Sequence, residues 1–157
     1  GNFVRNSARS IIIKDEKITM IHSLKYDYYK FPGGGIEGDE SPIAAMIRET
    51  REEAGIVVKP ETIKEYGKVH RAQRSSTNPS ECFIQDNYYY LCDAEIVPQC
   101  LDDYEEKESY TLEFVEPTVV IQKNRNVLNS PYDNMMFERE ARVIEMLIDE
   151  GSLHLKQ

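Results

Sequence analysis

The residues best equipped for chemistry lie in one short stretch, where Glu49, Glu52 and Glu53 stand at i, i+3 and i+4 with Arg48 and Arg51 beside them. On a helix turning about 100° per residue, these carboxylates project from one side, close together. Like charges so placed repel, so the arrangement calls for a cation among them. A hard divalent ion with oxygen ligands meets that demand, and Mg²⁺ or Mn²⁺ suits carboxylates that share coordination with substrate phosphates.

Arg48 lies four residues before Glu52 and eight after Glu40, where bidentate contacts can hold the glutamates in place. Just upstream, Pro32 is followed by Gly33, Gly34 and Gly35. Consecutive glycines after proline are foreign to a helix interior and poor strand material, so a loop is expected whose backbone comes close to another group. One of its carbonyls could complete a metal shell. Together these parts supply what metal-assisted phosphoryl hydrolysis needs: charge neutralisation, an activated water and a positioned phosphate. The plainer reading is an acidic helix whose Glu and Arg trade surface salt bridges. It leaves the glycines and the spacing unexplained.

These groups need a helix to carry them, and residues 41–54 are its natural place. Ser41 is an N-cap, Pro42 takes the first helical position and Gly55 stops the helix. Ile43, Ala44, Ile47 and Ala54 recur at helical spacing and are expected to pack on a sheet. Residues 3–13 and 17–24 read as two strands joined across a polar turn at 14–16. Further strands are expected over 62–70, 83–96 and 112–115, with a polar loop at 73–81. A helix begins at 117–123, and 134–150 is amphipathic, with Phe137, Ala141, Ile144, Leu147 and Ile148 on one face and Gly151 as its end. Strands interleaved with two substantial helices predict an α/β fold of the α+β type, a mixed β-sheet flanked by helices. No repeat, linker or low-complexity tract interrupts it, so residues 1–157 read as a single domain.

Composition narrows the partners. The chain has 157 residues, is 40% hydrophobic and carries a formal net charge of -9. That apolar share builds one real core. Such an acidic chain repels polyphosphate backbones, so nucleic acid is not expected as the main partner. A small anionic substrate remains compatible where a metal ion screens the charge locally. Cys82, Cys92 and Cys100 are odd in number and form no CxxC pair, a pattern that fits reduced thiols and a cytoplasmic location. No apolar run approaches the ~20 residues that cross a bilayer, so no membrane partner is expected. The N-terminus has no basic-then-apolar leader, and Gly1 in place of methionine points to a trimmed start.

One arrangement draws these features together. Gly34, five residues, Glu40, seven residues, then the run Arg48, Glu49, Thr50, Arg51, Glu52, Glu53, Ala54, Gly55, Ile56 resembles the Nudix box from end to end. Thr50 departs from the pattern, since the family usually has an aliphatic residue there. The flanking strands and C-terminal helix also resemble that family's α/β/α sandwich.

The resemblance implies a divalent-metal-dependent hydrolase cleaving the diphosphate bond of a nucleoside diphosphate linked to another moiety, by carboxylate-activated water. It makes Glu52 and Glu53 the principal metal ligands and Glu49 a further ligand or the general base. The carbonyl of Gly33 would face the metal, while Glu40 and Arg48 would orient the site. Family members often recruit one more glutamate after the box. Glu105, Glu106 and Glu108 are candidates, with Glu108 favoured by its distance to the strand at 113–115; a solvated acidic loop is the alternative.

Substrate choice would fall to side chains outside the box. Tyr28, Tyr29 and Phe31 before the glycines, and Tyr88, Tyr89 and Tyr90 on a strand, can stack on a base or pack in a sheet. His70, Arg71 and Arg74 form the basic cluster near a loop, suited to a phosphate or to salt bridges with the acidic surface. His22 and His154 have no partners in sequence. The alternative function is a silent module of the same fold that senses a nucleotide or nucleotide sugar; retention of Glu49, Glu52 and Glu53 favours the enzyme. A monomer and a homodimer are both compatible with the sequence.

Overall fold

A computed structural model describes residues 2–75, 77–96, 109–128, 130–132 and 134–155. Its first hairpin turns at Asp15 and Glu16, both left-handed (φ 54° and 62°), the pair of positive φ values that a two-residue type I′ turn requires. The turn closes β3 (Ile13–Lys14) on β4 (Lys17–Ser23). Residues 3–13 are therefore not one strand. They divide into β1 (Asn2–Val4), β2 (Ser7–Ile11) and β3, and the break after Ile11 sends β2 and β3 into different sheets.

The larger sheet is mixed, as expected. Its central strand β9 (Cys82–Leu91) pairs antiparallel with β8 (Lys64–Arg74) and, on its other edge, parallel with β1 and β2. β8 thus runs beyond the expected 62–70 and takes up the start of the supposed loop at 73–81. The outer edge of β2 carries a correction: Gly33–Gly35 is a strand, β6, antiparallel to β2. A second sheet joins β5 (Tyr28–Lys30), β4, β3 and β11 (Tyr110–Val115). The expected strand over 83–96 is interrupted after Leu91, and β10 (Ala94–Ile96) pairs with β7 (Ile56–Val58) instead.

Alternation along β2 decides which helix covers which face. Ala8 and Ile12 join a core cluster with Ala45, Met46 and Ala54 of α1 (Pro42–Ala54). Ile11 joins a second cluster with Val143, Ile144 and Leu147 of α3 (Asn134–Asp149). The sheet lies between the two helices, an α/β/α sandwich. α2 (Pro117–Arg125) packs on α3 and reaches β5, where the Asn124 amide accepts from Tyr29 N–H (2.7 Å) and donates to Tyr29 C=O (2.8 Å).

α1 starts and stops as its sequence predicts: Ser41 Oγ accepts from Ala44 N–H, and Gly55 is left-handed (φ 66°). Its buried stripe follows the expectation in part: Ala54 is buried and Ile47 packs against the core. Ile43 is 39% exposed and Ala44 is exposed, while Ala45, Met46, Thr50, Glu53 and Ala54 are buried. The stripe is shifted because it includes two polar positions. In α3 the expected residues Phe137, Ala141, Ile144 and Leu147 are buried, and so are Arg139 and Glu140. Burying Phe137, Val143, Ile144 and Leu147 contributes roughly 1.5–3 kcal/mol apiece, enough to hold a charged pair in the same stripe. Cys82 and Cys92 are free thiols, and burial first, with Asp93 adding, pushes Cys92 up to about 12. Cys100 lies outside the described residues. Among the described residues no helix is long and apolar enough to cross a membrane.

Candidate active site

Arg48 is the hub of the α1 surface. Its Nε and Nη2 donate to the two carboxylate oxygens of Glu40 (2.7 and 2.8 Å), and Nη1 donates to Glu49 (2.9 Å) and Glu52 (3.1 Å). Nη2 also donates to the carbonyl of Gly35 (3.2 Å), tying the helix to β6. The paired carboxylates raise the Arg48 pKa. Arg48 in turn, with the Glu37 backbone N–H, holds Glu40 down to about 2. The fork-to-carboxylate geometry expected of Arg48 and Glu40 is present.

The glutamates occupy three different environments. Glu52 is 60% exposed. The Glu49 side chain is 15% exposed, and burial first, with Glu53 and Glu52 adding and Arg48 opposing, raises its pKa above the usual carboxylate value. Glu53 is buried at 2%: Oε2 lies 3.3 Å from Lys30 Nζ, and Oε1 is enclosed with no hydrogen-bond partner. Lys30 Nζ sits over the Tyr110 ring at 4.4 Å. Among the described residues no three acidic, His or Cys side chains gather as metal ligands. The two cations share out the three glutamates, Arg48 pairing with Glu49 and Glu52 and Lys30 with Glu53.

Two of the glycines are required by close approach. A Cβ on Gly33 (φ 144°) would lie 2.2 Å from Ala8 O across the β2–β6 pairing. One on Gly34 would lie 2.5 Å from Glu49 Oε2, so Gly34 makes room for that carboxylate. The segment before them is held from both sides. Ser10 N–H and Oγ donate to Pro32 C=O, and Thr50 Oγ1 donates to Ser10 Oγ (3.1 Å), which gives the unusual threonine of α1 a polar role. On the opposite face Glu140 accepts from Phe31 N–H (3.2 Å), and Arg9 donates to Phe31 C=O (2.9 Å).

The remaining expected residues fare differently. Tyr28 is 1% exposed, bonded through its hydroxyl to Tyr110 and packed on Phe137. Phe31 is fully buried, edge-on to Tyr89. Both are core residues with no ring face open to a base, contrary to the substrate-binding expectation. Arg71 lies 5.2 Å over the Phe83 ring and donates to Gln73, and exposed Arg74 pairs with Cys82 in the ladder. β9 and β2 separate their strand from β6, about 14 Å at strand spacing, so the structure does not bring either arginine to the glutamates. Glu105, Glu106 and Glu108 lie outside the described residues. Sequence reasoning missed Lys30 and Glu140, yet each carried a signal: a cation one residue before the buried turn, and a charge on the Phe137–Ile144–Leu147 stripe. His22, given no partner, stands between Glu113 (2.5 Å) and Asp27 (2.7 Å).

A family model described as NUDIX domain matches residues 4–133. The chain belongs to the Nudix family. Its fold resembles that of a MutT protein from Bacillus halodurans, with a TM-score of 0.57 at 17% identity, covering 85% of this chain and 80% of that one. A MutT NUDIX hydrolase from Burkholderia pseudomallei gives 0.56 at 17% identity, covering 90% and 95%. In sequence the Nudix chain is 37% identical over 54 residues to a protein named RNA pyrophosphohydrolase from Xanthomonas campestris, 34% of this chain. The match spans only 25% of that relative's length.

Proposed function

We propose that residues 1–157 form a single Nudix domain that hydrolyses the diphosphate bond of a nucleoside diphosphate linked to another moiety, with Mg²⁺ or Mn²⁺ as cofactor. The observation that carries this reading is the buried Oε1 of Glu53, enclosed without a hydrogen-bond partner at the end of a glutamate series flanked by a glycine strand. A buried carboxylate oxygen left unbonded is costly unless it receives a ligand, and an all-oxygen set of Glu49, Glu52 and Glu53 fits a hard cation. These three, with the Gly33 carbonyl, would hold the ion, and Glu108 would add to them. When bound, the ion neutralises phosphate charge and acidifies a coordinated water.

The chain's own groups supply the rest. Glu49, its pKa raised by burial, is suited to accept a proton from the attacking water. Arg48 keeps Glu49 and Glu52 oriented and, through Glu40 and Gly35 C=O, fixes α1 against β6. Arg71 and Arg74, on the far side of β9 and β2 from the glycine strand, would meet only a distal part of a long substrate. The complete set of glutamates favours turnover over a silent sensor of the same fold.

The test is phosphate or mononucleotide release from nucleotide sugars, dinucleoside polyphosphates, nucleoside triphosphates and an RNA with a 5′ polyphosphate. The RNA joins the panel because of the Xanthomonas relative's name. With the best substrate, Glu53→Gln is expected to lower kcat by on the order of 10³-fold at unchanged folding. Equal rates in variant and wild type would sink the site assignment; no turnover with any divalent ion would favour the sensor.

A further inference from the structure

Glu53 already has a cation. Lys30 Nζ stands 3.3 Å from its Oε2, and the two side chains are 14% and 2% exposed. The Lys30 ammonium is fixed from a second direction by the face of Tyr110 at 4.4 Å. Strand geometry explains why it points there. Lys30 ends β5 opposite Ile21 of β4, two residues after buried Tyr28, so both side chains leave the sheet on one face. Tyr110 and Tyr28 touch through their hydroxyls on that face, and both belong to the cluster that packs against α1. The chain thus delivers a positive charge from one sheet to the most buried carboxylate of the other layer.

We propose that Lys30 is a tethered competitor for the divalent ion, holding Glu53 until the ion displaces its ammonium. The inference rests on the metal-dependent reading above and concerns how that site is loaded. Two positive charges cannot share one buried carboxylate without mutual repulsion, strong where water is excluded. The ion must therefore either displace the ammonium or bind more weakly. Lys30 in turn keeps Glu53 neutralised in a place where an uncompensated charge would destabilise the fold. Glu49 and Glu52 need no such guard, because Arg48 and solvent serve them.

Mn²⁺ titration calorimetry on the full chain compares the wild type with Lys30→Met and Lys30→Arg, alongside thermal melting in EDTA and in saturating Mn²⁺. Lys30→Met is expected to bind Mn²⁺ about fivefold or more tightly, while Lys30→Arg, which keeps the charge, stays close to wild type. In EDTA the methionine variant should melt below wild type, yet gain more from Mn²⁺ than wild type does. A residue that only packed would lower both melting points equally and leave affinity unchanged. Lys30→Met binding within about twofold of a wild type that does bind Mn²⁺ would overturn this inference alone. A wild type that binds no Mn²⁺ would overturn the functional reading with it.

Discussion

Two clusters of carboxylates and cations lie on opposite faces of β2, and they are balanced in opposite senses. On the α1 face, Glu37, Glu40, Glu49 and Glu52 surround Arg48, and Glu53 takes Lys30, so five carboxylates share two cations. On the α3 face, one fully buried carboxylate, Glu140, faces both Arg9 (3.9 Å) and Arg139 (3.3 Å) and accepts from Tyr89 O–H (2.6 Å). Burial works against Glu140's ionisation, but Arg139 and then Arg9 outweigh it and hold the carboxyl below its usual range. Glu49 shows the reverse: burial and neighbouring carboxylates prevail over Arg48. Around Glu140 the cations outnumber the carboxylate and the charge is settled within the chain; around Arg48 and Lys30 the carboxylates are in excess, a negative surplus left for a cation from solution.

The largest expected effect breaks the settled half. Glu140→Ala strands two guanidinium groups in the core and frees Phe31 N–H, so unfolding free energy should fall by about 3–5 kcal/mol in denaturant melts. A loss under about 1 kcal/mol would show that the arginines do not depend on it.

A pair of substitutions in the glycine strand separates fold from site more finely. In Gly33→Ala the new methyl meets backbone, Ala8 O, at a strained φ, which should cost about 1–3 kcal/mol. In Gly34→Ala the nearest atoms belong to the Glu49 side chain rather than to backbone, so melting should barely change. Displacing that carboxylate should nonetheless slow hydrolysis by about 10²-fold. Equal thermal losses in both variants would mean that Gly34 serves the sheet rather than the glutamate.

The smallest effect concerns a third charged group, in the second sheet. The His22 ring lies between Glu113 and Asp27 and stacks on Tyr29, with centroids 4.1 Å apart. Asp27 is lowered by its bond from Lys123 first and His22 second. Burial opposes the lowering of Glu113, but His22, Thr111 and Tyr29 overcome it. Carboxyls lowered in the folded state stabilise it above their unfolded pKa of about 4 and lose that contribution as pH falls through the folded value. Wild-type melting temperature should therefore drop below about pH 4, and His22→Gln should drop less steeply, a difference within about 1 kcal/mol because the Asp27 and Glu113 carboxylates are 49% and 35% exposed. Parallel acid limbs would exclude His22 as the cause.

What the sequence disclosed and what it concealed divide along the same physical line. The two ends of α1 were readable because Ser41, Pro42 and Gly55 act locally, through their own φ values and hydrogen bonds. The box spacing was readable because Arg48 reaches Glu40, Glu49 and Glu52 along one element and its entry loop. The strand character of Gly33–Gly35 was not, because it depends on β2 coming close enough to exclude any Cβ, not on glycine's own preference. The pairing of Glu53 with Lys30 was hidden for the same reason: Lys30 arrives from another sheet. Whether Tyr28 and Phe31 stack on a base or pack in the core stayed open in the sequence because Phe137 and Tyr89, which cover them, are distant along the chain.

The parallel pairing of β2 with β9 has a consequence for the order of assembly. Ser7 meets Asn87 across 80 residues of chain, whereas Ala8 meets Gly34 across a short connection. During synthesis at about 5–20 residues per second, β2, the glycine strand and α1 are complete several seconds before β9 exists. Through that interval β2 has one edge paired and the other open, the kind of template that captures stray strands. The half of the molecule that carries the carboxylates is thus made first and locked last, and its yield depends on how soon β9 closes that edge.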